Sequence, residues 1–494
     1  MAGGCTINTM PLNMQRESRA RCAALGQVRA AQQIWVRMAV RERLAILRRA
    51  RHCIAATAEK MAQCVPCHQP GALHRSVADT LVSEVLPLVE ACRFLEREAA
   101  WILAPQRLSS RNRPFWLRRV TAETRREPLG VVLIIGPANY PLFLPGVQVL
   151  QALTAGNAVL WKPAPCGMEA AEALRDALVA CGLDPALVQL LDESPQAASE
   201  AISAGVDKVF FTGSATTGTV VLHQLAERLT PAVLELSGCD AVFVLPGADR
   251  DRTVAALTFG LRLNGSATCM APRRIFLVGE HAGLLEVLLA QLKSLEPVIL
   301  PARTQAQLAE LLQDAERLGG SVLLDESAGG LRYAVIIGSA PEMRIAQSDI
   351  FAPVLSIFNV PDTDAAVAAH ALCPYALTAA IFGPEPEARV LASRLPVGTV
   401  LINDLIVATA DPRVSFGGRK SSGYGVTRGR EGLLEMTTLK TIVAQRSRDL
   451  RPYRPTTPDH QPFFSSYIEA VHGGSWLARW RGVRRFLRSA ARLD

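Results

Sequence analysis

A chain of 494 residues, 49% hydrophobic and 20% charged, is long enough for two or three domains with their own cores and lies far from disordered composition. Its net charge of +8 is concentrated at one end, where ten arginines face four acids between Arg446 and Asp494, so the body is near neutral and carries no basic stripe or nucleic-acid module. Nucleic-acid binding is therefore not expected. Eleven irregularly spaced cysteines behind a polar Met1–Arg21 segment that lacks an apolar leader core point to reduced thiols and a cytoplasmic protein.

In chain order, Ile34, Trp35, Met38, Leu44, Ile46, Leu47 and Ile54 recur at helical spacing, and residues 77–103 do the same, which predicts an N-terminal helical layer. Within it, Cys64-Val65-Pro66-Cys67-His68 has the spacing of a haem-attachment motif. Haem attachment normally needs export, and with no export signal visible the motif reads as an accidental match; no further cysteine or histidine cluster lies nearby, so no metal site is expected. Residues 111–127 are charged and partly alternating, and predict an exposed β-excursion suited to subunit contact in a homodimer.

No charged residue appears between Glu127 and Lys162. A membrane span is argued against by Pro137, Pro141, Pro145, Gly136 and Gly146, around which a lone helix could not satisfy its backbone in lipid. Strand 130–135, helix 142–153 and strand 158–161 make instead one buried βαβ unit. Strand 208–211 with helix 217–228, and strands near 276–278, 334–337 and 400–402, continue the alternation and predict a doubly wound α/β fold. A proline-spaced tail then leads into a last helix from Trp476 to Leu493. Trp476, Trp480, Val483, Leu487 and Ala491 share one face, with Arg481, Arg484, Arg485, Arg488 and Arg492 on the rest. The pattern fits a helix lying in an anionic membrane surface, and equally a tail docked on the body or on a sister subunit.

Several segments carry chemistry. Pro128–Pro141 ends in Asn139-Tyr-Pro, Leu234-Glu235-Leu-Ser-Gly238 follows later, and Asn264-Gly-Ser-Ala-Thr-Cys269-Met-Ala-Pro272 later still. Between and after them stand Trp161-Lys162-Pro163-Ala164, Phe211-Thr-Gly213-Ser214 with Gly218, Asp349-Ile-Phe351-Ala-Pro353 and Phe416-Gly-Gly418. In this order the segments resemble the aldehyde dehydrogenase superfamily from about residue 30 to 447, and the surround of Cys269 is most similar to its class 3 branch. The resemblance implies an aldehyde dehydrogenase-like α/β fold. Residues 1–110 would be the helical layer of the cofactor domain, 111–127 a β-hairpin oligomerisation element and 128–236 the NAD(P)-binding domain. Residues 237–412 would be the catalytic domain, 413–447 a return segment and 448–494 a basic tail.

The implied reaction is oxidation of a small-molecule aldehyde to a carboxylic acid with NAD or NADP. A thiolate is the best available nucleophile at neutral pH, which suits Cys269. The oxyanion it creates needs fixed donors, a role the resemblance assigns to the Asn139 amide and the Cys269 backbone N–H. Glu235, after an apolar run, is the implied base for thioester hydrolysis. Lys162, Gly213, Ser214 and Gly218 are implied for the adenosine ribose and pyrophosphate, with a helix N-terminus favouring the phosphates. Asp349 and Phe351 are implied for the nicotinamide ribose.

The chain departs from the family pattern at Ser266 and Ala267, where Gly-Gln commonly precedes the nucleophile, at Ser237 and Cys239, at Asp349 and Ala352, at Ala138, and at Pro165, where a glutamate that would repel a 2′-phosphate often stands. These departures keep open a second reading, a catalytically impaired scaffold or binding protein. A CoA-acylating reaction is disfavoured by the presence of Glu235. The class 3 likeness and the amphipathic tail lean toward apolar aliphatic or aromatic aldehydes.

Overall fold

The computed structural model describes residues 25–66, 75–327 and 329–491. Cys67 and His68, the Met1–Arg21 segment, and Arg492 and Leu493 at the end of the predicted tail helix lie outside them. The chain divides into two compact units, Met1–Pro105 with Arg125–Lys440, and Gln106–Thr124 with Thr441–Asp494.

The first unit opens with helices. Residues 25–35, α1 (Val40–Ala56) and α2 (Leu86–Ile102) bury Trp35, Leu47, Ile54, Leu88 and Leu95 in one core with the sheet that follows. That sheet is built from β1 (Val131–Ile135), α3 (Phe143–Ala155), β2 (Ala158–Lys162), α4 (Met168–Ala180), β3 (Val188–Leu190), β4 (Lys208–Thr212), α5 (Ala215–Ala226) and β5 (Ala232–Glu235). Every residue of β1 and β2 is buried, as expected for parallel strands covered on both faces. Burial of each large aliphatic side chain contributes about 1.5–3 kcal/mol. The uncharged stretch is thus sheet core, and among the described residues no helix is long and apolar enough to cross a membrane.

A second sheet follows from β6 (Asp240–Val244), α6 (Arg250–Arg262), β7 (Pro272–Val278), β8 (Ser321–Ser327), β9 (Gly330–Ile337), β10 (Val354–Val360), β11 (Thr378–Phe382) and β12 (Thr399–Ile402). Its order is β8-β9-β10-β7-β6-β11-β12, parallel except for the β8–β9 pair. The chain then returns to the first sheet as β13 (Gly423–Tyr424), antiparallel to β5, and ends the unit with α7 (Gly429–Glu435) and the start of a long strand, Thr437–Gln445. The first sheet reads β13-β5-β4-β1-β2-β3.

In the second unit, Gln106–Arg107 pairs antiparallel with Glu123–Thr124, and Phe115–Leu117 is a short 3-10 turn. The excursion is therefore a strand paired with residues just before it, joined by a turn-rich loop. Among the described residues the tail holds two α-helices, α8 (Gln461–His472) and α9 (Trp476–Ala490). They form a hairpin in which Phe486 packs on Phe463 and Tyr467, with ring centroids 4.8 and 5.6 Å apart. Only the second of these helices shows in the sequence pattern.

Candidate active site

The topology places the site before any side chain is considered. From β1 the chain runs through β2 and β3 to one side, then crosses to β4 and β5 on the other. The carboxyl ends of β1 and β4 therefore flank the switch point at which open α/β sheets bind ligands. The register sets Ile135 opposite both Lys162 and Phe211, and Thr212 opposite Glu235. Asn139, Lys162, Gly213 and Glu235 thus stand along one edge.

Cys269 comes to this edge from the second sheet, on the loop between α6 and β7. Asn264, Gly265 and Ser266 are all left-handed there, at φ 56°, 58° and 66°. Such a conformation costs a non-glycine residue about 1–3 kcal/mol, and it persists only where the surroundings impose it. The Asn264 amide donates to the backbone oxygens of Asn139 (3.0 Å) and Ala267 (3.2 Å). Buried Arg273 donates to Ser266 Oγ and O, both at 2.7 Å, and to Ala352 O. Ser266 can thus replace the usual glycine because Arg273 grips its hydroxyl.

The Asn139 amide donates to Ala267 O at 3.0 Å, and Tyr140 Oη lies 2.8 Å from Thr268 Oγ1. A Cβ on Gly238 would stand 2.6 Å from Cys269 O, so the glycine after Leu-Glu-Leu-Ser permits close approach of the two loops. Asn139, Glu235 and Cys269 are brought together as the motifs imply.

The chamber in front of Cys269 has a volume of about 840 Å³. Leu86, Phe143, Phe259, Met270, Leu295 and Phe416 contribute apolar wall, and Glu235 and Arg428 also line it. Burial pushes the Cys269 thiol well above its ordinary value, and Glu235, Asp240 and Asp349 add to the rise while Arg428 opposes it. Glu235 is also pushed up by burial, against the pull of Arg428 and of Thr427, whose hydroxyl donates to Oε2 at 3.0 Å. Its Oε1 has no hydrogen-bond partner among the described residues, which leaves an acceptor free for water.

On the cofactor side, Ser214 caps α5 by accepting from the Thr217 amide at 3.2 Å, so the helix begins at Ala215 rather than at Thr217. A Cβ on Gly213 would meet the Phe211 ring at 2.6 Å, and one on Gly218 would meet Leu236 at 2.8 Å. The glycines keep this turn and the first helical turn close to the sheet, a cradle open to a pyrophosphate. Lys162 is largely buried and lowered by that burial, with Glu193 and Asp192 pulling it back up. Asp349 is raised to about 6 by burial, opposed by Arg273 and the Ser237 hydroxyl, and its Oδ1 is buried with no hydrogen-bond partner among the described residues. Asp349 and half-buried Phe351 sit just before β10. These residues fit a nicotinamide dinucleotide.

Motif reading missed Tyr140, Arg273, Glu193, Thr427 and Arg428. Glu193 accepts from the amides of Cys166 and Met168, both at 2.9 Å, so a carboxylate stands at the start of α4, close to Pro165. Its place in an Asp-Glu-Ser-Pro turn ahead of a helix was the available signal. Among the described residues no group of three histidine, cysteine or acidic side chains is placed to hold a metal ion.

A model of the aldehyde dehydrogenase family matches residues 12–442. A 4,4'-diapolycopene aldehyde oxidase of Methylomonas sp is 29% identical over 437 residues, covering 83% of this chain and 80% of the relative. Aldehyde dehydrogenase LUC3 of Fusarium sp is 32% identical over 345 residues, 65% of this chain and 72% of the relative. Among solved structures, the NADP-dependent glyceraldehyde-3-phosphate dehydrogenase from Bacillus halodurans C-125 complexed with NADP superimposes with a TM-score of 0.77 at 27% identity, covering 88% of this chain and 92% of that one. The chain therefore belongs to the aldehyde dehydrogenase family, and is an NAD(P)-dependent oxidoreductase that acts on an aldehyde group.

Proposed function

We propose that the chain oxidises an apolar aliphatic or aromatic aldehyde to its acid through a thioester on Cys269, accepting both NAD and NADP. The observation that carries this is the chamber of about 840 Å³, apolar along its walls and polar where Cys269 and Glu235 meet. The Cys269 thiol gives up its proton to solvent, and the thiolate adds to the aldehyde carbon. The second N–H of the Asn139 amide and the Cys269 backbone N–H hold the oxyanion. Lys162, Gly213, Ser214 and Gly218 would hold the phosphate and ribose end of a nicotinamide dinucleotide, and Asp349 and Phe351 the other, and the bound group would supply the acceptor for the hydride on this carbon. Glu235 then takes a proton from water as the water attacks the thioester carbon. The C–S bond breaks, Glu235 passes its proton to the departing sulfur of Cys269, and the acid leaves.

One assay matrix tests this reading, with aldehydes of increasing chain length against NAD and NADP. We expect kcat/KM to rise with apolar length. Pro165 offers no carboxylate against a 2′-phosphate, and Glu193 is engaged by two amides, so the two cofactors should differ by less than about a thousandfold, roughly 4 kcal/mol in binding terms. A larger preference for NAD assigns the exclusion to another group, with Glu193→Gln as the direct check. No reduced cofactor in any combination supports the scaffold reading instead.

The same proposal includes a homodimer and contact with a membrane surface. Phe115 and Trp116 are about two-thirds exposed, with Leu108, Ile442 and Val443 also open, an apolar surface of the kind a second copy covers. In the tail, α9 turns Ala478, Gly482 and Phe486 toward α8, while Trp476, Trp480, Val483 and Leu487 stay exposed beside Arg481, Arg484 and Arg488. The full chain should sediment as a dimer, and also with phosphatidylserine-containing vesicles, less so at high salt, since each basic residue near such a surface contributes about 1 kcal/mol and is screened by ions. Removing residues 476–494 should end vesicle binding and spare activity on a water-soluble aldehyde. Unchanged vesicle binding after truncation rules out the membrane face, and dissociation of the dimer assigns the tail to subunit docking.

A further inference from the structure

Arg428 is poorly explained by folding alone. Its backbone, at φ 60° and ψ 171°, occupies a region that glycine enters freely and other residues rarely do. Its side chain is buried, with Nε lacking any hydrogen-bond partner among the described residues. Nη1 donates to Thr409 O at 2.7 Å, and the guanidinium lies 4.5 Å from the centre of the Phe416 ring, against the chamber wall. A buried charge in a strained backbone is an expense that packing does not require, since an apolar residue would fill the space. The neighbouring Thr427 meanwhile holds Glu235, so two consecutive residues of the return segment address the reaction centre.

We propose that Arg428 is a positioning residue, the fixed cation against which the Glu235 carboxylate and the Cys269 thiolate are held in the chamber. The proposal rests on the reading of Cys269 as nucleophile and Glu235 as base. Cys269 faces Glu235, Asp240 and Asp349 with Arg428 and Arg273 as cations, and Glu235 faces Cys269, Arg428 and the neutral Thr427. Arg273 also answers to Asp349 and Asp240, which leaves Arg428 to balance the thiolate and the base. The reaction makes these two anions in turn. A guanidinium neither takes up nor releases a proton in this range, so it acts as a constant field and not as a relay.

The test is alkylation of Cys269 by iodoacetamide as a function of pH, followed by peptide mass, in the wild type, Arg428→Gly and Arg428→Lys, with melting curves alongside. Glycine suits the backbone at this position, so that variant should melt cooperatively. Its alkylation midpoint should move up by about one pH unit, with about tenfold slower labelling at neutral pH, because a positive charge that favoured the thiolate is gone. Lysine keeps the charge and should hold the midpoint within a few tenths of the wild type. If the glycine variant does not fold, Arg428→Gln takes its place with the same expected shift. An unchanged midpoint in a folded, uncharged variant overturns the proposal. Turnover that survives complete alkylation of Cys269 in the wild type overturns the nucleophile reading instead.

Discussion

Replacing Cys269 with serine is expected to abolish dehydrogenase turnover, by about a thousandfold or more, while leaving cofactor binding intact. Serine fits the site, so the hydrogen bonds of the nucleophile loop, made by Asn264, Asn139, Thr268 and Arg273, need not change. What changes is the nucleophile. The chamber already pushes a thiol above its ordinary value, and an alkoxide in the same place lies much further out of reach near neutral pH. Fluorescence titration with reduced cofactor separates binding from catalysis, because Lys162, Gly213 and Ser214 sit at other strand ends. Wild-type rates in this variant would rule out covalent catalysis at residue 269.

Glu235→Gln should lower steady-state kcat by about 10²–10⁴, the usual contribution of a general base, yet still permit one burst of reduced cofactor. Intact mass should then show the substrate's acyl group on Cys269. The wild-type rate should fall on acidification through a pKa above the ordinary carboxylate range, because a protonated Glu235 cannot take a proton from water. Stability runs the opposite way. With its folded pKa above the unfolded one, Glu235 favours the fold below the unfolded pKa, and that advantage is lost as pH rises through the folded pKa. A neutral glutamine removes this loss, so the variant should melt no lower than the wild type at neutral pH. Continued turnover without the adduct would show that another group activates the water.

The sequence was most legible where chemistry is local. Asn139, Lys162, Gly213 and Glu235 each follow or close a short apolar run, and such runs become parallel strands whose ends share an edge, so motif order translated into one side of a candidate site. Glu193, Arg273 and Arg428 were not legible in this way. Each acts through a partner that is distant in the chain or reached only through a loop conformation, as when Arg273 holds Ser266 left-handed. The first tail helix escaped notice because Pro462 and clustered aromatics mask its periodicity. The chamber's apolar character had only an indirect sign in the likeness of the Cys269 surround to one branch of the family, since its walls come from α2, α3, α6 and the return segment at once.

The bond from Thr427 to Glu235 spans 192 residues of sequence. As the ribosome delivers the chain from its N-terminus, both sheets can be completed up to β12 while Glu235 still lacks its hydroxyl donor and its facing guanidinium. A nascent or prematurely terminated chain ending before β13 would therefore carry Cys269 with an unbalanced carboxylate beside it. Completion of the surroundings of Glu235 is thus deferred until the return segment has been made, after Cys269 has already been placed by the second sheet.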